Sequence, residues 1–374
     1  MKHHSIAVFA AALFGLPSVG YTAGYTQANL SADTPGVAKY TDSFLQNPWG
    51  LSVPPEKKYN EAFWWAADNA AGVSTLYDPK GNTRKLVVTV PSADGVSAGS
   101  PTGTVDFNEN FVFVTEDGTI SVWYLTQYSS TNGAAPPTRA EIAAAHAPVS
   151  DARVTPDTHT NCSTSGCHIT NAVIKVKKAG AAYEGVTVAE LNGAAALLVA
   201  NVNSPTLEAY DSNFSPLTLA PGAFSDPQLP RGYTATNVQS AGGLVWAVYV
   251  NDSGGSYVDG YGTDGTLKVR LQQGNWLDDP WGVAVAPSNF GTFSNAVLVG
   301  NVGSGKIAAF NVTSGAFQGY VSDSKGQAIA NPGLWAIAFG IGNKSNGPTN
   351  VLYFNSGTET QTHGLFGSIS YKRW

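Results

Sequence analysis

The chain's only two cysteines, Cys162 and Cys167, stand in the stretch HTNCSTSGCHITN, with His168 directly after the second. A thiol pair followed by histidine supports two chemistries. One is a disulfide, which needs an oxidising compartment and proximity. The other is covalent attachment of haem c, which needs two cysteines, a proximal histidine and a distal ligand. His168 stands correctly for the proximal role. The usual signature has two residues between the cysteines, whereas this one has four. The single methionine is Met1, so a distal ligand would come from His146, His159 or His363. The expected outcome is a disulfide between Cys162 and Cys167, with haem c as the alternative. Closing so short a loop contributes roughly 2 kcal/mol by chain entropy. A zinc site on Cys162, Cys167, His168 and a second histidine would have to escape oxidation.

The compartment is read from the first residues. MKHHSIAVFAAALFGLPSVGYTAGY has a short cationic start, an apolar run from Ile6 to Leu16 and small residues near Ala23. That pattern predicts a secretory signal peptide over residues 1–23. The run is too short to span a bilayer comfortably, and no second spanning segment follows. The expected location is therefore secreted or periplasmic, with no integral membrane segment after signal removal. Such a compartment oxidises cysteines, and bacteria attach c-type haem there too. Charged residues are 12% of the chain, and the net charge is −6 without a Lys/Arg-rich run. This argues against a nucleic-acid partner, which needs a basic face.

The elements that position these residues repeat. NPWGLSV, AFWWAADN and GVSTLYD are short apolar-alternating pieces bounded by Gly, Asn or Asp, which reads as strands. The triplet returns as PTGTVDF, NFVFVTEDG and TISVWYL, and then as YEGVTVAEL, ALLVANV and TLEAYD. It returns again as TATNVQS, LVWAVYVND and YVDGYGTDG, then as DPWGVAVAP, AVLVGNVG and KIAAFNV. NPGLWAIAFG, NVLYFNSG and GLFGSISY complete the series. A weaker fourth strand, such as KLVVTV or LKVRL, usually follows. Units near 50 residues with about four strands are propeller blades. The predicted fold is all-β: a six-bladed β-propeller over residues 24–374, closed by the early segment YTQANL pairing with the last blade. Blade two is interrupted by an insertion, residues 126–170, that carries the cysteine pair and a predicted helix from about Thr138 to Ala147.

Several strings are specific. NPWGLSV, ADNAAGVSTLYD, VTEDGTIS, GAFSDPQLPRGY, DPWGVAVAPSNFG, LVGNVGSGKIAAFN and THGLFGSIS span almost the whole mature chain. In them the sequence resembles an uncharacterised family of secreted bacterial proteins, with blades similar to NHL-type repeats. The resemblance implies a propeller and no particular activity. Many members of that family end in a sorting tail, which SYKRW does not resemble.

In a propeller, the loops leading into the inner strands and those joining second to third strands share one face. That rule gathers Asp68, Asn69, Glu116, Asp117, Asn201, Asn251, Asp252, Asn301, Glu359 and His363 at one channel mouth, with Trp49, Trp281 and Trp335 as its aromatic part. Carboxylates and amides so arranged suit Ca²⁺, and calcium-dependent propeller lactonases offer a fold-level analogy. Asn and Asp in tight turns also cap their own backbone. No H-E-x-x-H or P-loop motif occurs, and the Gly-rich ADGVSAGSPTGT lies between strands with no following helix, which reads as a loop. The function expected from the sequence is a secreted binding or scaffold module, its partner a small molecule, glycan or protein at the mouth. The alternatives are a haem c electron carrier and a calcium-dependent propeller hydrolase.

Overall fold

The structure is a computed structural model that describes residues 23–54, 62–124, 168–191, 193–251 and 254–372. The ring opens with β1 (Gly24–Ala32) and the short β2 (Tyr40–Thr41). Blade one follows as β3 (Pro48–Ser52), β4 (Trp64–Asp68), β5 (Val73–Tyr77) and β6 (Thr83–Thr89). Blade two is β7 (Pro101–Phe107), β8 (Asn110–Thr115), β9 (Thr119–Tyr124) and β11 (Val173–Lys177); before β11 comes β10 (His168–Asn171), which joins the sheet of blade one. Blade three is β12 (Tyr183–Leu191), β13 (Ala194–Asn201), β14 (Glu208–Tyr210) and β15 (Pro216–Leu217). Blade four is β16 (Thr234–Ala241), β17 (Leu244–Val250), β18 (Ser256–Tyr261) and β19 (Leu267–Arg270). Blade five is β20 (Pro280–Val285), β21 (Ala296–Asn301), β22 (Ile307–Asn311) and β23 (Phe317–Tyr320). Blade six is β24 (Leu334–Phe339), β25 (Val351–Gly357), a four-residue helix α1 (Thr358–Gln361) and β26 (His363–Lys372). The six sheets make the expected six-bladed propeller.

The core lies between blades and not at the centre. A strand turns alternate side chains to opposite faces, so each middle strand serves two neighbours. In β4, Trp64 packs with Tyr353 and Phe366 of blade six, while Trp65 packs with Phe111, Phe113 and Trp123 of blade two. In β13, Leu197 and Val199 face blade two, and Leu198 and Ala200 face blade four. In β21, Val297 and Val299 face blade four, and Leu298 faces blade six. Six interfaces thus bury both faces of every sheet, which is why these strands are apolar at nearly every position.

Ring closure falls to β1, which pairs antiparallel with β26 from Gly24↔Lys372 to Ala32↔Leu365. Tyr25, within the segment read as the closing strand, fastens it. Its hydroxyl donates to the Phe290 carbonyl at 3.0 Å and accepts from the Phe293 amide at 3.0 Å.

The insertion returns differently from the expectation. Its last residues, taken as loop up to Thr170, already form β10, which runs parallel to β6 of blade one, His168 opposite Leu86. One residue later the chain becomes β11, the fourth strand of blade two. The Trp123 indole of blade two donates to Thr170 Oγ1 at 2.9 Å, tying the two blades at this crossing. Cys162, Cys167, His146, His159 and the predicted helix lie outside the described residues, as does Asp252.

Candidate functional site

Every inner strand carries the same irregularity. The ladder with the second strand shifts register at Trp49, Thr102, Glu184 and Thr236, and at Trp281–Gly282 and Trp335–Ala336. Each is a β-bulge, a device that re-aims one side chain. Read around the ring, the bulged positions are Trp, Thr, Glu, Thr, Trp and Trp. Blades five, six and one therefore contribute an aromatic half, and blades two, three and four a polar half.

The local sequence explains the bulge. In blades one, five and six a residue with left-handed backbone stands before it: Asn47 at φ 46°, Asp279 at φ 54° and Gly333 at φ 67°. Asn, Asp and Gly tolerate that conformation. After the bulge comes a small residue, because neighbouring inner strands nearly touch there. A Cβ on Gly185 would meet the Asn237 Cα at 2.7 Å, and one on Gly282 would meet the Trp335 carbonyl oxygen at 2.6 Å. The N/D-P-W-G motif is thus a turn, a strand start, a channel-directed side chain and a clearance in succession. In five of the six blades the carbonyl of the residue leading the inner strand then accepts from the loop after the second strand. Asn47 accepts from Asn69 at 3.2 Å, Ser100 from Glu116 at 3.2 Å and Asp279 from Val302 at 2.8 Å.

The aromatic half closes the channel. Trp49 and Trp335 stack with centroids 3.9 Å apart, and Trp281 meets them edge-on at 5.2 and 4.9 Å. The three rings are brought together as the sequence suggested, but they are only 5–8% exposed and pack with Val302. They are a plug, the rings packed on one another and not exposed at the mouth. Beside the plug, the channel keeps a cavity of about 40 Å³ lined by residues of all six blades.

A polar chain runs from this plug. Trp335 Nε1 donates to Asn47 Oδ1 at 3.0 Å, Asn47 Nδ2 to Asn69 Oδ1 at 3.4 Å, and Asn69 Nδ2 to Glu116 Oε1 at 3.2 Å. Glu184 comes next. Burial, reinforced by the charges of Glu116 and then Asp279, pushes its carboxyl up to about 8. Asp279 is raised as well, by burial and by Asp278. Glu184 therefore keeps its proton at neutral pH and presents an O–H donor with a carbonyl acceptor.

The other residues assigned to the mouth divide by role. Asp68 is fully buried inside blade one, where Thr75 donates to it at 2.7 Å, and burial holds its carboxyl well above the usual range. Asp117 accepts from Ser92 Oγ at 2.6 Å and the Ala93 amide at 2.7 Å. Asn201 caps the amides of Ala182 and Asn203, both at 3.1 Å, and Asn301 caps Asp278 at 2.9 Å. The backbone of Asn251 closes its own turn with Gly254 at 2.9 Å. His363 binds Asp33 at 2.8 Å, which raises its basicity, with Glu359 at 3.6 Å. These are turn and loop fasteners. Among the described residues, no three His, Cys, Asp or Glu side chains assemble as a metal site. Of the assigned set, Trp335, Asn69 and Glu116 join the polar chain. Asn47, Glu184 and Asp279 were missed. Aligning YEG with PWG and PTG would have placed Glu184 at the bulge beside Trp49 and Trp281.

No family model matches the chain. Two uncharacterised proteins of Acanthamoeba polyphaga mimivirus are similar to it. One is 25% identical over 346 residues, covering 89% of this chain and 76% of the relative, and the other 24% identical over 358 residues, covering 89% and 82%. Among solved structures, a streptogramin B lyase superposes with a TM-score of 0.51 at 10% identity, covering 93% of this chain and 98% of that one. An auxiliary nutrient binding protein from Bacteroides ovatus gives 0.53 at 11% identity, covering 94% and 78%. At such identities the likeness is one of fold, and the fold shared is the β-propeller.

Proposed function

We propose that the protein is a secreted binding or scaffold module that recognises an uncharged, hydrogen-bonding ligand at the channel mouth, such as a glycan or a peptide backbone. The split ring of bulged residues carries this reading. Its polar half holds a protonated Glu184 beside the Asn69–Glu116 pair, which offers donors and acceptors on one surface. The tryptophan plug leaves about 40 Å³ in the channel, so a ligand would rest on the mouth and not pass through it. That a nutrient-binding protein uses a similar fold makes a binding role compatible with the architecture and says no more. Secretion rests on the cationic, apolar and small-residue segments of the first 23 residues. Cleavage near Ala23 would leave β1 whole, since it starts at Gly24. The resemblance to a secreted bacterial family points the same way.

The plug supplies its own reporter. Intrinsic tryptophan fluorescence, titrated with a glycan and peptide panel, should change saturably with the true ligand. Glu184→Ala and Asn69→Ala should each weaken that binding. A ligand whose binding survives both substitutions would place recognition elsewhere and sink the reading. Calcium-dependent hydrolysis is the alternative for the same face. A melting temperature that rises with Ca²⁺ in the parent and not in Glu116→Gln would favour it.

A further inference from the structure

A groove of about 850 Å³ lies away from the mouth, between the outer strands of blades two and three. One wall is β11. The β11–β9 ladder shifts register at Lys175; Val176 packs against the interface core while Lys175 and Lys177 are exposed, and Lys178 continues the row. The opposite lip runs through Leu217 and Leu219. Leu217 is 39% exposed, one of four large hydrophobic side chains so exposed among the described residues.

Charge and hydrogen bonding both point outward here. The chain carries a net charge of −6, yet this groove has three lysines along one wall. Lys178 is held by Glu208 at 2.7 Å, and Lys175 covers the Tyr124 ring at 5.1 Å. Asp94, an exposed loop carboxylate, also senses this wall, through Lys177. Among the described residues β11 is the edge of its sheet, paired only with β9. An edge strand offers a row of main-chain donors and acceptors. The molecule already fills two such edges with a fifth strand: blade one takes β10, and blade six takes β1 with β2 outside it.

We propose that this groove docks an acidic, extended peptide segment of a partner protein, which adds to blade two as a fifth strand along β11. Main-chain hydrogen bonds would fix the register. Acidic side chains would meet Lys175 and Lys177, and the alternate apolar ones would meet Leu217 and Leu219. This surface is separate from the mouth, so it stands or falls independently of the ligand proposed there.

The test is fluorescence anisotropy of the full chain with a labelled synthetic peptide alternating Glu and Val. Control peptides carry Lys for Glu, or backbone N-methyl groups on alternate residues. The acidic peptide should bind, and its affinity should fall with added salt. The double variant K175E/K177E should bind it at least about tenfold more weakly with an unchanged circular dichroism spectrum. The Lys and N-methyl peptides should fail. Absence of binding, equal binding of Glu and Lys peptides, or binding that tolerates N-methylation would overturn the proposal. So would sedimentation showing a dimer that K175E/K177E dissociates, because the occupant would then be a second copy. A cross-linker at position 177 that captures residues 125–167 of the same chain would overturn it too.

Discussion

Replacing Glu184 with glutamine removes one ionisable proton while keeping the shape of the protonated side chain. Burial and the charges of Glu116 and Asp279 raise this carboxyl from 4.5 to about 8. Below pH 4.5 the folded and unfolded chains both hold the proton, and the group contributes no pH dependence. Between 4.5 and about 8 the unfolded chain releases a proton that the folded chain keeps, so stability falls as pH rises. Above about 8 the loss is complete. At 1.36 kcal/mol per pH unit, the full displacement corresponds to roughly 5 kcal/mol. This is a ceiling, since local rearrangement relieves part of the repulsion. Glu184→Gln should therefore match the parent in acid and exceed it progressively through the window, by a few kcal/mol at most. Urea unfolding of both proteins across that range measures the difference directly, because contributions from groups not coupled to Glu184 cancel. A difference that stays flat with pH, or a parent that gains on the variant as pH rises, would refute the reasoning.

Three further outcomes are expected. Trp65→Ala should destabilise the fold by about 3–5 kcal/mol, the usual cost of emptying a large aromatic site. Trp65 is stacked on Phe111 at 3.7 Å between blades one and two, and a loss below about 1 kcal/mol in chemical denaturation would contradict that packing. Tyr25→Phe should cost about 1–2 kcal/mol, because the Phe290 carbonyl and Phe293 amide lose their shared partner. Hydrogen exchange should show faster opening of β1 and β26 before other strands, and uniform acceleration would count against a closure role. Protein made with haem-attachment machinery is expected to be colourless and two hydrogens lighter than its reduced form, with Cys162 bonded to Cys167. A Soret band that survives denaturation would instead assign electron transfer.

Much of the fold was legible because a propeller repeats its instructions. Six copies of an apolar-alternating triplet specify strand length and the two buried faces, since period two is a property of the extended backbone. YTQANL also read correctly as the closing strand, its pairing partner being the edge left by the last blade. The candidate site was less legible. Asp68, Asp117, Asn201 and Asn301 occupy repeat positions that look like ligands, yet each is consumed by turns or by burial. Turn chemistry and ligand chemistry use the same residue types.

What the sequence determined by itself is therefore the local and periodic part: strands, blade number and the turns that Asn, Asp and Gly permit. The tertiary structure alone decided what converges on the axis. Trp49, Trp281 and Trp335 lie far apart in the chain, and whether they line an open mouth or fill it depends on how closely six inner strands approach. Glu184 is unremarkable as a letter, and its raised pKa exists because the folded ring buries it and brings Glu116 and Asp279 near it from other blades. The parallel docking of β10 on blade one was likewise invisible, because pairing between distant segments is set by which edge the folded ring leaves open.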